Sequence, residues 1–308
     1  MSASPVRTDP LLHVVVVAYG DPTALRSSLE RLGGAYAVVV VDNSSDPETA
    51  AVAAALGARY VDPGDNLGFA AGVNRALSEL PIPSVDVLLL NPDASLDAAA
   101  VERLRDVLAE EPDVACVAPA QRRPGSDAAA PVQWPFPTPL RAWAEALGLG
   151  RFLRGWGFVS ASVLLVRGAA LADVGSFDEG FFLYAEEADW ERRAVQGAWR
   201  VSFCEDAVAL HAGEGTDPDP KRREQRFHAG VERYVRKWHG AGGWNAYRWA
   251  TVLTAIRRAV VAGGERRRSS WRLARLYAQG PYRVARRAGA VPERRHNVRS
   301  LANAGPAR

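Results

Sequence analysis

Two cysteines in 308 residues, Cys116 and Cys204, stand far apart with no partner pattern. That excludes a disulfide scaffold and a cysteine-held metal cluster, and it suits a reducing compartment. No apolar run approaches the ~18–20 residues that a bilayer-spanning helix needs. The N-terminus has no basic segment followed by an apolar stretch, so no signal peptide is expected and the expected location is cytoplasmic. No Gly-x-Gly-x-x-Gly follows the first apolar segment, which counts against a dinucleotide-binding enzyme. Internal repeats are absent too. Lysine is scarce beside arginine, so arginine as such carries no weight as a chosen recognition residue. What remains is a globular composition, 48% hydrophobic and 24% charged, long enough for one large domain or two modest ones.

The net charge of +3 hides an asymmetry. Residues 221–308 hold 22 Lys and Arg against 4 Glu and no Asp, while the first 220 carry 16 basic and 31 acidic groups. An acidic body, residues 1–220, with a basic helical extension, 221–308, suggests two jobs in one chain. Within the extension, Trp238, Trp244, Tyr247 and Trp249 mix with Arg233, Arg236, Lys237 and Arg248. Two readings stand: peripheral contact with an anionic membrane, or packing on the acidic body, within a homo-oligomer or not. No nucleic-acid-binding fold is recognisable, and the acidic body would repel such a partner.

Along the chain, buried-strand runs at Leu11–Ala18, Ala37–Val41, Ala58–Val61, Val87–Leu90 and Val114–Pro119 alternate with helical patterns at Pro22–Leu32, Pro47–Leu56, Ala70–Leu80 and Ala98–Glu111. That alternation predicts an α/β class with a Rossmann-like, mainly parallel sheet flanked by helices. Gln121–Pro139 reads as a long loop, Ser160–Val166 as another strand, and Glu186–Gly197 as a helix. Arg200–Cys204 and Ala207–His211 read as extended segments and Gly213–Pro220 as a linker. Basic helices are expected over Arg222–Trp238, Ala246–Ala262 and Ser269–Ala288, with Met1–Pro10 frayed and the last twenty residues disordered.

Three polar clusters each follow a buried run: Ala18-Tyr19-Gly20, Asp42-Asn43-Ser44-Ser45 and Asn91-Pro92-Asp93. Parallel neighbouring strands would crowd all three at the carboxyl edge, where open α/β sheets bind ligands. Asp93 is open to two readings, a turn residue or a metal ligand beside a phosphate. Asp42 is either a helix cap before Pro47 or an acceptor for the imide N–H of a pyrimidine. The stretch holding Asn66, Gly68, Gly72 and Asn74 enters a helix and is either a packed turn or a close approach to a diphosphate. Glu186, Glu187 and Asp189 at a helix start are ordinary dipole-compensating acids by themselves. Trp156 and Trp190 fit the core better than a sugar-stacking role.

Taken together, strand–AYG, strand–DNSS, NLGFAAGVN, LLLNPDA and the later FDEGFFLYAEEADW resemble family 2 glycosyltransferases of the GT-A fold, nearest the rhamnosyltransferase-like branch. The resemblance covers about residues 12–212, with a nucleotide-sugar half over 11–120 and an acceptor half over 121–220. It implies that Ala18, Tyr19 and Asp42 lie at the nucleobase, and that Asp93 is the last acid of a metal motif whose first acid is here Asn91. Mg²⁺ or Mn²⁺ is the implied cofactor, with His211 a candidate ligand. It further implies that Glu187, or its rival Asp189, takes the proton of the acceptor hydroxyl in an inverting transfer from a nucleoside-diphosphate sugar. dTDP-rhamnose is the favoured donor, and a glycan or lipid-linked precursor of cell-envelope polysaccharide the acceptor. A sugar-nucleotide pyrophosphorylase would need a cationic Gly-rich loop where Tyr19-Gly20-Asp21-Pro22 stands. A non-catalytic nucleotide-sugar-binding scaffold would differ by failing to turn over donor.

Overall fold

The structure is a computed structural model that describes residues 9–153, 157–213 and 219–292. Its strands are β1 (Asp9–Ala18), β2 (Tyr36–Asp42), β3 (Arg59–Val61), β4 (Asp86–Leu90), β5 (Ala94–Ser95), β6 (Val114–Arg122), β7 (Ala129–Ala130), β8 (Gln133–Pro135), β9 (Gly157–Val159), β10 (Val163–Val166) and β11 (Arg200–His211). Among them lie α1 (Pro22–Arg31), α2 (Pro47–Ala55), α3 (Phe69–Leu77), α4 (Ala98–Glu110), α5 (Pro139–Ala146), α6 (Gly168–Val174) and α7 (Glu186–Gln196). After them come α8 (Pro220–Val261), α9 (Gly264–Gln279) and α10 (Pro281–Arg287).

The apolar runs form a sheet because both of their faces are covered. Leu12, Val14, Val16, Leu88 and Leu90 bury into one layer with α1 and α4. Val15, Val17, Val87 and Leu89 bury into the other with α3 and α6. Strand order is β3-β2-β1-β4-β10-β6-β11-β5, with β7 beside β6. The half from β3 to β4 is parallel throughout, and β6 pairs parallel with β11, while β10 runs antiparallel between β4 and β6. Side-chain caps set the helix starts: Asp21 on α1, Asp46 on α2, Asp97 on α4 and Thr138 on α5.

Several expectations change. Ser160–Val166 is not one strand, because Ser160–Ser162 turns between β9 and β10 and lets the Ser162 carbonyl accept from the Asn91 N–H (2.8 Å). The two extended segments after α7 are one strand, β11, whose register against β6 shifts between Cys204 and Val208. Helix α5 occupies residues beyond the expected loop, and Asp9 and Pro10 begin β1 instead of fraying. The first two basic helices are found as expected, running into one another within α8 across a non-helical kink at Gly240, where φ is 66°. Trp156, residues 214–218 of the expected linker and residues 293–308 of the expected tail lie outside the described residues.

The basic helices pack on the body. Phe181, Val231, Tyr234, Trp244 and Tyr277 share one buried cluster. Arg233 and Lys237 on α8 pair with Asp178 at 3.2 and 2.8 Å, and Lys237 also reaches Asp189 at 2.8 Å. Part of the charge asymmetry is thus spent inside the molecule.

Candidate active site

The order β2-β1-β4 brings the three polar clusters side by side at the carboxyl edge of the sheet. A cleft of about 230 Å³ opens there. Tyr19, Asn43, Asn66, Gly68, Asn91 and Asp93 line it from the sheet side; Ser160, Ser162, Glu186, Glu187, His211 and Arg226 line it from the rest of the chain.

The floor is built from short-range backbone capture. Asn43 donates to the Gly68 carbonyl (3.1 Å) and accepts from the Leu67 N–H (3.3 Å), while Asn66 accepts from the Gly68 N–H (2.9 Å). Gly68 has a φ of 79°, and a Cβ there would overlap the Phe182 carbonyl, so only glycine fits. The next N–H, of Phe69, donates to that same carbonyl (2.9 Å). The loop before α3 is thereby fastened to the segment before α7.

Asp93 and His211 form the second element. His211 Nδ1 faces Gln121 Oε1 at 3.1 Å, and buried Gln121 is itself held by the Ser162 hydroxyl. A ring that donates from Nδ1 keeps its lone pair on Nε2, and Nε2 lies 3.3 Å from Asp93 Oδ1. Two acceptors at that distance call for a proton or a cation between them. Asp93 Oδ2 is buried with no hydrogen-bond partner, so the donor set suits a hard divalent cation. Among the described residues no cluster of three or more His, Cys, Asp or Glu is placed to hold a metal. A cation at this pair would therefore complete its shell with diphosphate oxygens and water.

The third element is the start of α7. Tyr184 and Ala185 have positive φ values of 72° and 70°, a strained pair for non-glycine residues. That turn aims backbone N–H groups at the two acids that follow. Those of Ala185, Glu187 and Ala188 favour ionised Glu187, yet burial dominates and raises its pKa to about 7. Glu186 is raised well above the usual carboxylate range, by burial first and by Glu187 second. Each acid has an Oε2 that is buried without a partner. Burial thus disfavours charge on both acids, and the pair resists carrying two negative charges at once.

A profile of the family described as glycosyl transferase family 2 matches residues 13–163, the stretch from β1 to the first residue of β10. The chain belongs to glycosyltransferase family 2. It is similar to an N-acetylglucosaminyl-diphospho-decaprenol L-rhamnosyltransferase of Mycobacterium tuberculosis, 28% identical over 302 residues, which cover 86% of this chain and 97% of that protein. It is also similar to a low-salt glycan biosynthesis hexosyltransferase of Haloferax volcanii, 26% identical over 65% of this chain and 66% of that one. Among solved structures, a mannosyltransferase of Pyrobaculum calidifontis in complex with GDP-Man and Mn²⁺ superposes with a TM-score of 0.56 at 16% identity, over 92% of this chain and 86% of that one. The fold of this glycosyltransferase is GT-A.

Not every expected site residue of the glycosyltransferase lines the cleft. Tyr19, Asn66, Gly68, Asn91, Asp93, Glu187 and His211 do. Asp42 is fully buried, and its carboxylate already accepts from the Ser44 N–H and hydroxyl, the Asp46 N–H and the Tyr60 hydroxyl, so it braces the edge instead of facing a base. The α2 cap is Asp46, not Asp42. Gly20, exposed, donates to Ser44 Oγ (3.0 Å) and Ala18 is buried, and neither lines the cleft. Gly72 lets α3 lie against Val17, where a Cβ would collide. Asn74 clamps Phe177 through its N–H and carbonyl, both at 2.9 Å. Asp189 is fully buried among Lys237, Arg193 and the Trp238 indole, facing α8 and not the cleft. Trp190 is core, stacked on Phe177.

Sequence reasoning gave no site role to Ser160, Ser162, Gln121 or Arg226, and named Asn43 and Glu186 only within their clusters. Two serines opening an apolar run were a usable signal for Ser160 and Ser162. Arg226 had none, since only the return of α8 brings it to the cleft, over the Phe182 ring.

Proposed function

We propose that this glycosyltransferase moves rhamnose from dTDP-rhamnose to a lipid-linked saccharide, with inversion at the anomeric carbon, using Mg²⁺ or Mn²⁺ held by Asp93 and His211. The observation that carries the reading is that Glu187 shares one cleft with the Asp93–His211 pair. The rhamnosyltransferase activity for which the mycobacterial relative is named supports the donor sugar and the acceptor class, and the Mn²⁺ in the mannosyltransferase complex supports a divalent ion.

Tyr19, Asn43 and Asn66 border the donor end, and Arg226 offers a positive charge near the diphosphate. When bound, the metal neutralises charge that builds on the departing nucleoside diphosphate. Glu187 stands on the acceptor side. The acceptor oxygen attacks the anomeric carbon as its proton passes to a Glu187 oxygen, and the carbon–oxygen bond to the diphosphate breaks. One displacement with the base opposite the leaving group inverts the centre. Burial and the neighbouring Glu187 both disfavour a charge on Glu186.

Peripheral membrane contact follows from the same acceptor class. Among the described residues no helix is long and apolar enough to cross a membrane. Helix α5 exposes Leu140, Trp143 and Leu147, three positions of one helical face, and α8 exposes Trp249, Leu253 and Val260 on another. Arg257, Arg258 and Arg266 to Arg268 are exposed near the end of α8 and the start of α9. Apolar faces with arginines beside them fit an anionic headgroup layer.

The test is a transfer assay with dTDP-, UDP- and GDP-linked sugars, with and without chelator, the product anomer being read by NMR. Transfer from dTDP-rhamnose with inversion, lost on chelation, is expected. Asp93→Ala should abolish the metal response, and near wild-type kinetics for it at saturating Mg²⁺ or Mn²⁺ would refute the metal assignment.

A further inference from the structure

A second cavity, about 580 Å³, lies between α5, α8 and α9, within the range of roughly 300–1,000 Å³ typical of ligand pockets. Its inner end shares Ser160, Tyr184 and Glu187 with the donor cleft. Whatever carries the attacked hydroxyl therefore extends from Glu187 into this space.

The walls are Trp134, Phe158, Phe227, Val231, Tyr247 and Leu273. Most polar groups along the walls away from Glu187 are already occupied, and the exposed Arg258 is a further charged group of the lining. The Thr251 and Thr254 hydroxyls donate to the Tyr247 and Ala250 carbonyls, each at 2.9 Å. Arg141 and Glu145 pair with one another at 3.2 Å. His228 Nδ1 lies 3.1 Å from the Tyr277 hydroxyl, and burial lowers its pKa to about 4, so the ring stays neutral. A saccharide drawn in here would give up water hydrogen bonds and find few replacements, at a cost for each unpaired group. An apolar chain loses nothing and gains burial.

We propose that this cavity holds the first units of the isoprenoid chain of the acceptor, which is joined through a diphosphate to the sugar at Glu187. The proposal rests on the lipid-linked acceptor of the reading above. Chain selection then lies with α8 and α9, and the body handles the sugars.

The test uses the full chain and three probes, farnesyl diphosphate, dimethylallyl diphosphate and inorganic diphosphate, with affinities measured by calorimetry. Farnesyl diphosphate should bind at least tenfold tighter than the other two. Thr254→Phe, which fills the cavity from α8, should collapse that difference; Leu273→Trp does the same from α9 if the first variant folds poorly by circular dichroism. In turnover, one saccharide carried on farnesyl and on dimethylallyl diphosphate should differ in KM at least tenfold in wild type and little in the variant. Equal affinity for all three probes, or an equal loss for both chain lengths in Thr254→Phe, overturns the cavity assignment. Transfer to lipid-linked acceptors regardless of chain length overturns it alone. Transfer only to a free saccharide, with no isoprenoid diphosphate bound, overturns the acceptor reading with it.

Discussion

The donor cleft and the cavity behind it differ in how they spend their polar atoms. In the cleft, Asp93, Glu186 and Glu187 each keep one buried oxygen with no protein partner. In the cavity, away from the shared Glu187, Thr251, Thr254 and His228 bond to their own neighbours and Arg141 pairs with Glu145, leaving Arg258 as an exposed charge in the lining. A surface meant to meet charge and move a proton holds its acceptors open at a cost in stability. A surface meant to meet hydrocarbon closes them. The comparison separates chemistry from holding, and outside the shared Ser160, Tyr184 and Glu187 each side offers its own residues to substitute.

The sharpest break is Glu187→Gln. It should lower kcat by roughly 10²–10⁴-fold, the usual worth of a positioned base, with donor affinity, measured by calorimetry, nearly unchanged. If Glu186→Gln lost as much and Glu187→Gln little, the base would be the other acid.

Asp189→Asn should do the reverse, costing stability and sparing the reaction. Full loss of a buried pair costs about 3–5 kcal/mol. Lys237 retains Asp178 and is one-third exposed, so a smaller loss of about 1–3 kcal/mol is expected in denaturant unfolding, with kcat within a few-fold. A collapse of kcat with normal stability would move the base to Asp189.

Acidity joins the two effects. Glu187 titrates near 7 in the folded chain and near 4.3 when unfolded, so the folded state binds the extra proton. The stability it lends is full below about 4.3 and lost as pH rises through about 7. Glu187→Gln should therefore raise Tm relative to wild type at pH 8 and leave it level at pH 4. Wild-type kcat/KM should rise with pH through about 7, and the variant should show no such limb.

The smallest effect is at the surface. Changing Arg266, Arg267 and Arg268 to Glu should weaken co-sedimentation with anionic vesicles, each arginine near the surface being worth about 1 kcal/mol, and salt should do the same. Neutral vesicles should show little difference between variant and wild type. Binding indifferent to lipid charge, salt and substitution would remove the membrane contact.

Legibility in the sequence followed the range of the interactions. β1, β2 and β4 announce themselves because a doubly covered strand needs an unbroken apolar run, and the polar clusters after them reach the cleft edge because the strands are parallel neighbours. Which residue of a cluster faces the ligand was not legible. Asp42 and Asn43 are adjacent, yet one braces Ser44, Asp46 and Tyr60 while the other lines the cleft. Glu187 and Asp189, two apart on α7, point about 200° apart around the helix, and only the position of α8 decides which meets the cleft. Helix α5 carried its own signal, Thr138 before Pro139, hidden by the prolines at 131, 135 and 137. The cavity had no local signal at all, since its walls come from residues more than a hundred positions apart.

The loop before α3 and the segment before α7 share the Phe182 carbonyl, and Asn74 pins Phe177 from the same helix. These two segments border opposite substrates. A displacement of either carries the other with it, so the substrates are not independent tenants of the enzyme. Any coupling carried by that link is reciprocal by necessity: the factor by which one bound substrate tightened the second would be the factor by which the second tightened the first. One glycine with no room for a side chain is thus where the backbone ties the two halves of the site together.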